Sequence, residues 1–220
     1  MKKLLNTVYV NNPDRYLSLD GENVVINCEN KEIGRVPLHN IERVMTFGYT
    51  GASPALMAKC AENGIELVFM KENGKFLARI EGEVKGNVLL RREQYRIADD
   101  PARSLGIAKY MIAAKIYNSR WSVERTIRDH AMRIDIEKFR RKSEFLRDSS
   151  KKALEAADID MLRGIEGESA SVYFSVFDDM ILQQKDDFYF KVRSKRPPLD
   201  NANALLSFAY SLQTGMCAAA

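Results

Sequence analysis

A strand–turn–strand pattern occupies residues 16–26, which read YLSLDGENVVI. Apolar and polar residues alternate over residues 16–20, as they do in a half-buried β-strand. The Gly-Glu-Asn that follows supplies turn chemistry, and the Val-Val-Ile after it is β-branched and suits a second strand. The beginning of the chain is therefore predicted to be built from short strands.

Further local signals continue this strand-rich part to about residue 90. Ser53 and Pro54 are the residue types preferred at the N-cap and the first position of a helix, and Gly64 is a typical stop after it. Asn73-Gly74 is a strong hairpin signal. Short strands are predicted around these signals, at residues 33–37, 41–47, 65–70 and 76–80.

From about residue 88 the apolar residues follow helical spacing instead. Helices are predicted in four places: from Pro101 towards Arg128, from about Ala131 to Leu146, after the cap Asp158, and from near Asn203. We therefore predict an α+β fold, in which a β-rich domain at residues 1–90 is followed by an all-α domain at residues 91–220. The boundary is expected somewhere in residues 84–100.

The composition is that of a globular protein, with 45% hydrophobic and 29% charged residues among 220. No apolar run approaches the roughly 20 residues that a membrane-spanning helix needs, and the start lacks the apolar stretch of a secretory signal. The three cysteines form no Cys-x-x-Cys pair, which argues against a structural zinc site or a disulfide framework. We expect a cytoplasmic protein with no membrane association.

The charge is unevenly distributed along the chain. Residues 1–90 carry 11 basic and 11 acidic side chains, residues 91–155 carry 17 and 10, and residues 156–220 carry 6 and 9. A basic segment beside carboxylates suits a metal-dependent enzyme that acts on a polyanion such as DNA. The alternative is a solvated helical surface, and charge alone favours that alternative.

The segment 162–174 contains two glycines inside an apolar-patterned helix. Each glycine costs roughly 1 kcal/mol of helix stability relative to alanine. Spaced three apart, Gly164, Gly167 and Ala170 make a smooth groove that another backbone can approach. Glu166 lies beside this groove and could bind a divalent metal, whereas Glu168 is expected to face away. Tight helix packing, with Glu166 paired to Arg163, explains the same spacing equally well.

A second candidate is the basic loop at residues 191–200, which proline residues stiffen. Arg193, Lys195 and Arg196 could hold phosphates there, although an ordinary charged surface loop is the alternative. His39 and His130 are the two histidines, and neither has a serine or cysteine nucleophile at a recognisable spacing.

Several short segments, in order and spread over nearly all 220 residues, match one known family. They are Lys3–Thr7, Tyr16–Val24, Gly86–Arg92, Leu162–Tyr173, and Arg196–Pro198 followed by Asn203–Phe208. Together they resemble the integrase of CRISPR adaptation, the first of the numbered CRISPR-associated (Cas) proteins, and most closely the form found with type I-C systems. Each segment alone is weak evidence, whereas the ordered set is specific.

The resemblance implies a β-domain that mediates dimerisation and an α-helical domain that holds the active site. It implies a DNA endonuclease and integrase that depends on Mg²⁺ or Mn²⁺ and inserts short foreign DNA (spacers) into the CRISPR array by transesterification. The implied partners are double-stranded DNA (the prespacer and the CRISPR leader–repeat), a second copy of the chain in a homodimer, and the second Cas adaptation protein.

The family's metal site consists of a Glu, a His and an Asp. The Glu belongs to a Gly-x-Glu-Gly motif, which is Gly164 to Gly167 here, so the resemblance makes Glu166 the catalytic carboxylate and a metal ligand. The His and Asp lie in a later segment, and this chain ends before it. We therefore expect a C-terminally truncated member that is inactive by itself. The alternatives are a non-catalytic DNA-binding and dimerisation scaffold, or a β-domain dimer with an unrelated helical domain.

Overall fold

The computed structural model describes residues 6–83 and 86–219. They divide into two compact units. The first comprises the residues up to Gly86 together with those from Leu205 onward, and the second comprises Asn87–Ala204. Part of the segment Lys3–Thr7 that carries the family resemblance, and part of the predicted boundary at 84–100, lie outside the described residues.

The strand-rich unit contains eight strands, one α-helix and a short 3-10 turn at Leu38–Asn40 among its described residues before Gly86. The strands are β1 (Thr7–Val10), β2 (Arg15–Asp20), β3 (Asn23–Cys28), β4 (Lys31–Pro37), β5 (Arg43–Phe47), β6 (Gly51–Ala52), β7 (Glu66–Met70) and β8 (Phe76–Arg79), with α1 (Pro54–Glu62) between β6 and β7. The predicted strands and the predicted helix are all present, and β1 and β6 are additional.

The eight strands form two four-stranded sheets. The first has the order β1-β5-β7-β8, in which β1, β5 and β7 are parallel and β8 is antiparallel to β7. The second has the order β4-β3-β2-β6, in which β2, β3 and β4 form an antiparallel meander and β6 is parallel to β2. The predicted hairpin at residues 16–26 is the β2–β3 pair at the centre of this second sheet.

One hydrophobic core joins both sheets and α1. Leu17 and Val24 come from the second sheet, Val44 and Leu67 from the first, and Leu56 from α1, and all five are fully buried. Burying each such side chain contributes about 1.5–3 kcal/mol. Because this core needs side chains from both sheets, the strands and α1 form a single unit.

The opposite face of the first sheet is covered by the C-terminal helix α7 (Asn201–Ala219). Leu212 packs against the buried side chains of β5 and β7, and the ring centroids of Phe208 and Phe47 are 6.1 Å apart. Gly74, with a positive φ of 78°, lies under Phe208, since a Cβ there would be 2.9 Å from that ring. Residues from 205 onward therefore group with the strand-rich unit, which differs from the predicted division at 1–90 and 91–220.

The second unit is helical. It contains α2 (Val88–Ala98), α3 (Pro101–His130), α4 (Ile136–Glu155), α5 (Ile159–Phe174), the short α6 (Phe177–Met180) and the first residues of α7. The predicted start of α4 near Ala131 is wrong, because residues 131–133 form a 3-10 turn and Asp135 caps the helix through the Lys138 N–H at 3.0 Å. Within residues 6–83 and 86–219, every helix is too short or too polar to cross a membrane.

The core of the helical unit lies between α3, α4 and α5. Ile116 and Val123 of α3, Phe139 and Leu146 of α4, and Leu162 of α5 are buried together there. The predicted order of a strand-rich part followed by helices is confirmed. This core fixes the orientation of α5, the helix that carries Glu166.

The single tryptophan lies on α3 in the helical unit. The Trp121 side chain is about half exposed. Its ring meets that of Tyr117 edge-on, with the centroids 5.9 Å apart, and the Arg120 guanidinium lies 5.6 Å from the indole centroid.

All three cysteines are free. Cys60 lies in the core of the strand-rich unit, and burial raises the pKa of its thiol to about 11. The thiol therefore stays protonated at neutral pH and behaves as a small apolar side chain.

Asn203, in the first turn of α7, is fully buried and joins that helix to the basic loop. Its Oδ1 accepts hydrogen bonds from Arg193 Nη1 at 2.8 Å and from the Ser194 N–H at 3.0 Å. Its Nδ2 donates to the Val192 carbonyl at 2.8 Å and to an Asp200 carboxylate oxygen at 2.7 Å. The amide is thus hydrogen-bonded at both of its polar atoms. Without it, these groups of the basic loop would each lose a hydrogen-bond partner.

Replacing Asn203 by alanine is expected to destabilise the protein by about 2 kcal/mol or more, because a buried polar group left unpaired costs about 1–3 kcal/mol. The measurement is the shift of the urea midpoint followed by circular dichroism. The matched control is Asn201→Ala in the same turn, where an exposed side chain makes one hydrogen bond, to the Asp187 carbonyl at 2.9 Å. Equal shifts for the two variants would contradict the role given to Asn203.

Candidate functional site

Glu166 lies on α5 at the edge of the buried face. Asp158 caps the helix, since its carboxylate accepts a hydrogen bond from the Met161 N–H at 2.7 Å. Leu162 and Ile165 pack into the helical core. Successive residues are about 100° apart around a helix, so Glu166 turns away from the core and its side chain is 31% exposed. The carboxylate therefore faces both protein and solvent.

The side of α5 that carries Gly164 and Gly167 is open. A Cβ built on either glycine would have no described heavy atom within 4 Å beyond the adjacent residues and the backbone of the helix itself. The glycines therefore do not serve close packing against another described helix, which is one of the two explanations that spacing leaves open. The other explanation, a surface that a second backbone can approach, stays a prediction.

Glu166 pairs with Lys115, which lies 51 residues earlier on α3. The Lys115 ammonium donates a hydrogen bond to Glu166 Oε1. The alternative in which Glu166 pairs with Arg163 is wrong, because the Arg163 guanidinium contacts Asp160 at 3.2 Å, one turn earlier on the same helix. The Lys115–Glu166 ion pair thus links α3 to α5 at the edge of the open side.

The described residues do not make up a complete divalent-cation site. Among residues 6–83 and 86–219, no group of three or more His, Cys, Asp or Glu side chains lies close enough together to hold a metal ion. Glu166 is a single carboxylate whose observed partner is a lysine. Glu168 is exposed, about 200° further round α5, and His39 and His130 are exposed in different units.

The basic loop presents two of its three predicted DNA-binding residues to solvent. Arg193 is half-buried, and its guanidinium donates to Asn203 and, at 2.5 Å, to the carbonyl of the next residue. This cation therefore stabilises the loop. Lys195 and Arg196 are exposed. Whether these residues bind DNA stays a prediction.

Asp178 anchors the chain that leads into the basic loop. Its carboxylate accepts hydrogen bonds from Lys185 Nζ at 2.9 Å and from the Phe190 N–H at 2.7 Å. Burial raises the pKa of this carboxyl, but the bonds from Lys185 and Phe190 outweigh burial and leave the pKa below its ordinary value. The Phe190 ring also packs on those of Phe174 and Phe177, with centroids 5.3 and 4.9 Å apart.

Sequence reasoning misses the roles of three residues that the structure places in these networks, namely Lys115, Asp178 and Asn203. Lys115 has a detectable signal, because it is a charged residue within the apolar spacing of α3, directly before the buried Ile116. Asp178 and Asn203 have no comparable signal, since each binds backbone groups several residues away along the chain.

Comparison with known proteins identifies relatives of the whole chain. A family model described as "CRISPR associated protein Cas1" matches residues 8–220. A protein of Chlorobaculum tepidum named CRISPR-associated endonuclease Cas1 1 is 44% identical over 214 residues, which is 97% of this chain and 62% of the relative. One of Rhodospirillum rubrum, named CRISPR-associated endonuclease Cas1 2, is 45% identical over 227 residues, which is 100% of this chain and 64% of the relative.

Solved structures share the fold. A Cas1 protein from Thermotoga maritima matches with a TM-score of 0.74 at 20% identity, over 98% of this chain and 64% of that one. A casposase bound to an integration product matches with a TM-score of 0.71 at 19% identity, over 97% and 60%. A chain of a Cas6-RT-Cas1–Cas2 complex matches with a TM-score of 0.70 at 20% identity, over 100% and 24%.

These findings agree with the family to which the ordered sequence segments point. The chain spans less than two thirds of the length of the two sequence relatives, at 62% and 64%. The match of the family model to residues 8–220 and the identities of 44% and 45% over nearly the whole chain show that the chain belongs to the Cas1 family of CRISPR-associated proteins.

Proposed function

We propose that this chain is part of a metal-dependent DNA endonuclease and integrase of CRISPR adaptation. In this proposal it inserts short pieces of foreign DNA into the CRISPR array by transesterification. The divalent cation is Mg²⁺ or Mn²⁺, and Glu166 is the catalytic carboxylate and one of the metal ligands. Membership of the Cas1 family supports the proposal, and so do the segments that resemble type I-C members.

One observation carries the proposal for the site. The turn Gly164 to Gly167 of α5 places a carboxylate beside two glycines, and a Cβ built on either glycine would have no described heavy atom within 4 Å beyond the adjacent residues and the helix backbone. Carboxylate oxygens are ligands that Mg²⁺ and Mn²⁺ prefer. The phosphodiester has to come close to a metal ion held by this carboxylate. The two glycines leave room for the DNA backbone to do so.

The proposed partners follow from the same family likeness. The solved structures that share this fold include a Cas6-RT-Cas1–Cas2 complex and a casposase bound to an integration product. We therefore propose that this protein binds double-stranded DNA, both the prespacer and the leader–repeat end of the array, and the second Cas adaptation protein. We also propose a homodimer through the strand-rich unit, whose sheets present β1, β4, β6 and β8 at their edges.

A second candidate function is a non-catalytic scaffold that binds DNA and dimerises. One observation favours it, because the described residues contain no group of three metal-ligating side chains. A single carboxylate leaves a divalent cation weakly held and poorly positioned. The following prediction separates the two functions.

The 220-residue chain is expected to show little or no Mn²⁺-dependent strand transfer. A version that also carries the His and Asp that the resemblance adds to Glu166 is expected to be active. In that version, Glu166→Ala is expected to lower the activity about a hundredfold or more, because loss of the carboxylate leaves the metal ion poorly positioned, and misplacement of a reacting group by about 1 Å can cost that much. The measurement is the joining of a labelled oligonucleotide to a plasmid carrying the array.

The matched control is Glu168→Ala, which removes an exposed carboxylate from the same helix. It is expected to leave strand transfer within about twofold, since a surface change away from the site has a small effect. Equal losses for Glu166→Ala and Glu168→Ala would refute the site. Glu166-dependent strand transfer by the 220-residue chain would refute its expected inactivity.

The basic loop is expected to contribute phosphate contacts through its two exposed cations. Replacing Lys195 and Arg196 together by alanine should weaken DNA binding and reduce the slope of log affinity against log salt by about two. Fluorescence anisotropy at several salt concentrations measures both. The control is Lys151→Ala with Lys152→Ala, an adjacent pair of exposed cations on α4. If the loop variant keeps the slope of the unaltered protein, the loop is not part of the DNA-binding surface.

The protein is expected to be a homodimer at micromolar concentration, because exposed strand edges readily pair between chains. Light scattering coupled to gel filtration should give about twice the chain mass of 25.1 kDa. A clean monomer mass would contradict dimerisation.

A further inference from the structure

Lys115 is the residue that the structure adds to the Glu166 site. It lies on α3 directly before the buried Ile116, and its own side chain is 51% exposed. The packing of α3 against α5 in the helical core holds the base of the side chain in place. Its ammonium lies against Glu166 at the edge of the open side of α5.

The Lys115–Glu166 pair contributes little to stability. Ion pairs with this degree of exposure stabilise a folded protein only slightly, because water screens them and both side chains lose freedom. The ammonium can therefore exchange its carboxylate partner for another anion at small cost. A lysine suits such an exchange, since its compact charge sits on a flexible stem with three donor hydrogens.

The charge of Lys115 also affects how a phosphodiester can approach Glu166. A lone carboxylate at the edge of the open side would repel a phosphodiester. The ammonium beside it cancels this charge and offers hydrogen-bond donors to phosphate oxygens.

We propose that Lys115 is a phosphate-contacting residue of this site. The Glu166 carboxylate holds the ammonium at the edge of the open side when no DNA is bound. The ammonium then binds a phosphodiester oxygen when DNA lies on that side. This inference rests on the function proposed above, because it takes DNA as the ligand of the open side of α5.

The test removes Lys115 in a background where it has no carboxylate to neutralise. The starting protein is Glu166→Gln, and the probe is a fluorescein-labelled DNA duplex of arbitrary sequence, titrated by anisotropy in EDTA at several salt concentrations. Adding Lys115→Met is expected to weaken binding about fivefold and to lower the salt slope by about one, as the loss of one phosphate contact does. Adding Lys115→Arg is expected to retain the slope.

The matched control is Lys138→Met in the same background. Lys138 also links two helices of the helical unit, through Asp179 at 2.6 Å, and the two side chains are 39% and 41% exposed. This control removes the same charge, so it measures the general effect of net charge on affinity. It is expected to weaken binding less than twofold and to leave the slope unchanged.

Circular dichroism first establishes that both variants are folded. Equal effects of Lys115→Met and Lys138→Met on affinity and salt slope would then overturn the inference. A slope that falls as far with Lys115→Arg as with Lys115→Met would overturn it as well. Should the Glu166→Gln protein bind no DNA at any salt concentration, the inference and the DNA binding proposed above both fail. Normal DNA binding together with equal Lys115 and Lys138 effects overturns the Lys115 role alone.

Discussion

The packing of the buried Leu162 and the partly buried Ile165 into the core between α3, α4 and α5 determines the direction of the other side chains on α5. A helix fixes the angle between successive residues at about 100°, so the direction in which each side chain leaves the helix is set by that of its neighbours. With those two residues inside, Glu166 comes to the edge of the buried face and Gly164 and Gly167 lie on the open side. The candidate site therefore depends on hydrophobic packing as much as on the motif itself.

Local chemistry is sufficient to predict the elements that begin with a strong signal. Ser53 accepts a hydrogen bond from the backbone of α1, and Asp158 does the same for α5, as their positions predict. The start of α4 is mispredicted, because the helix begins after its N-cap Asp135, whereas the apolar spacing begins four residues earlier. The Lys115–Glu166 pair cannot be read from the sequence, since tertiary packing brings together residues 51 positions apart.

The net charge of a segment overstates how many of its cations are free to attract DNA in this protein. Residues 91–155 carry 17 basic and 10 acidic side chains, yet many of the cations already have a carboxylate partner. Examples are Arg103 with Glu93, Arg120 with Glu124, Arg125 and Arg128 with Asp129, and Arg147 with Asp148. Such pairs attract a polyanion less than the same number of unpaired cations would. Electrostatic attraction to DNA therefore depends on how easily individual pairs open.

The position of the single tryptophan has a practical consequence for following this protein in solution. Trp121 belongs to α3, so intrinsic indole fluorescence reports on the helical unit and carries no signal from the strand-rich unit. Circular dichroism reports on both units together. A difference between the two unfolding curves would therefore reveal that the units unfold separately, whereas coincident curves would indicate one cooperative transition.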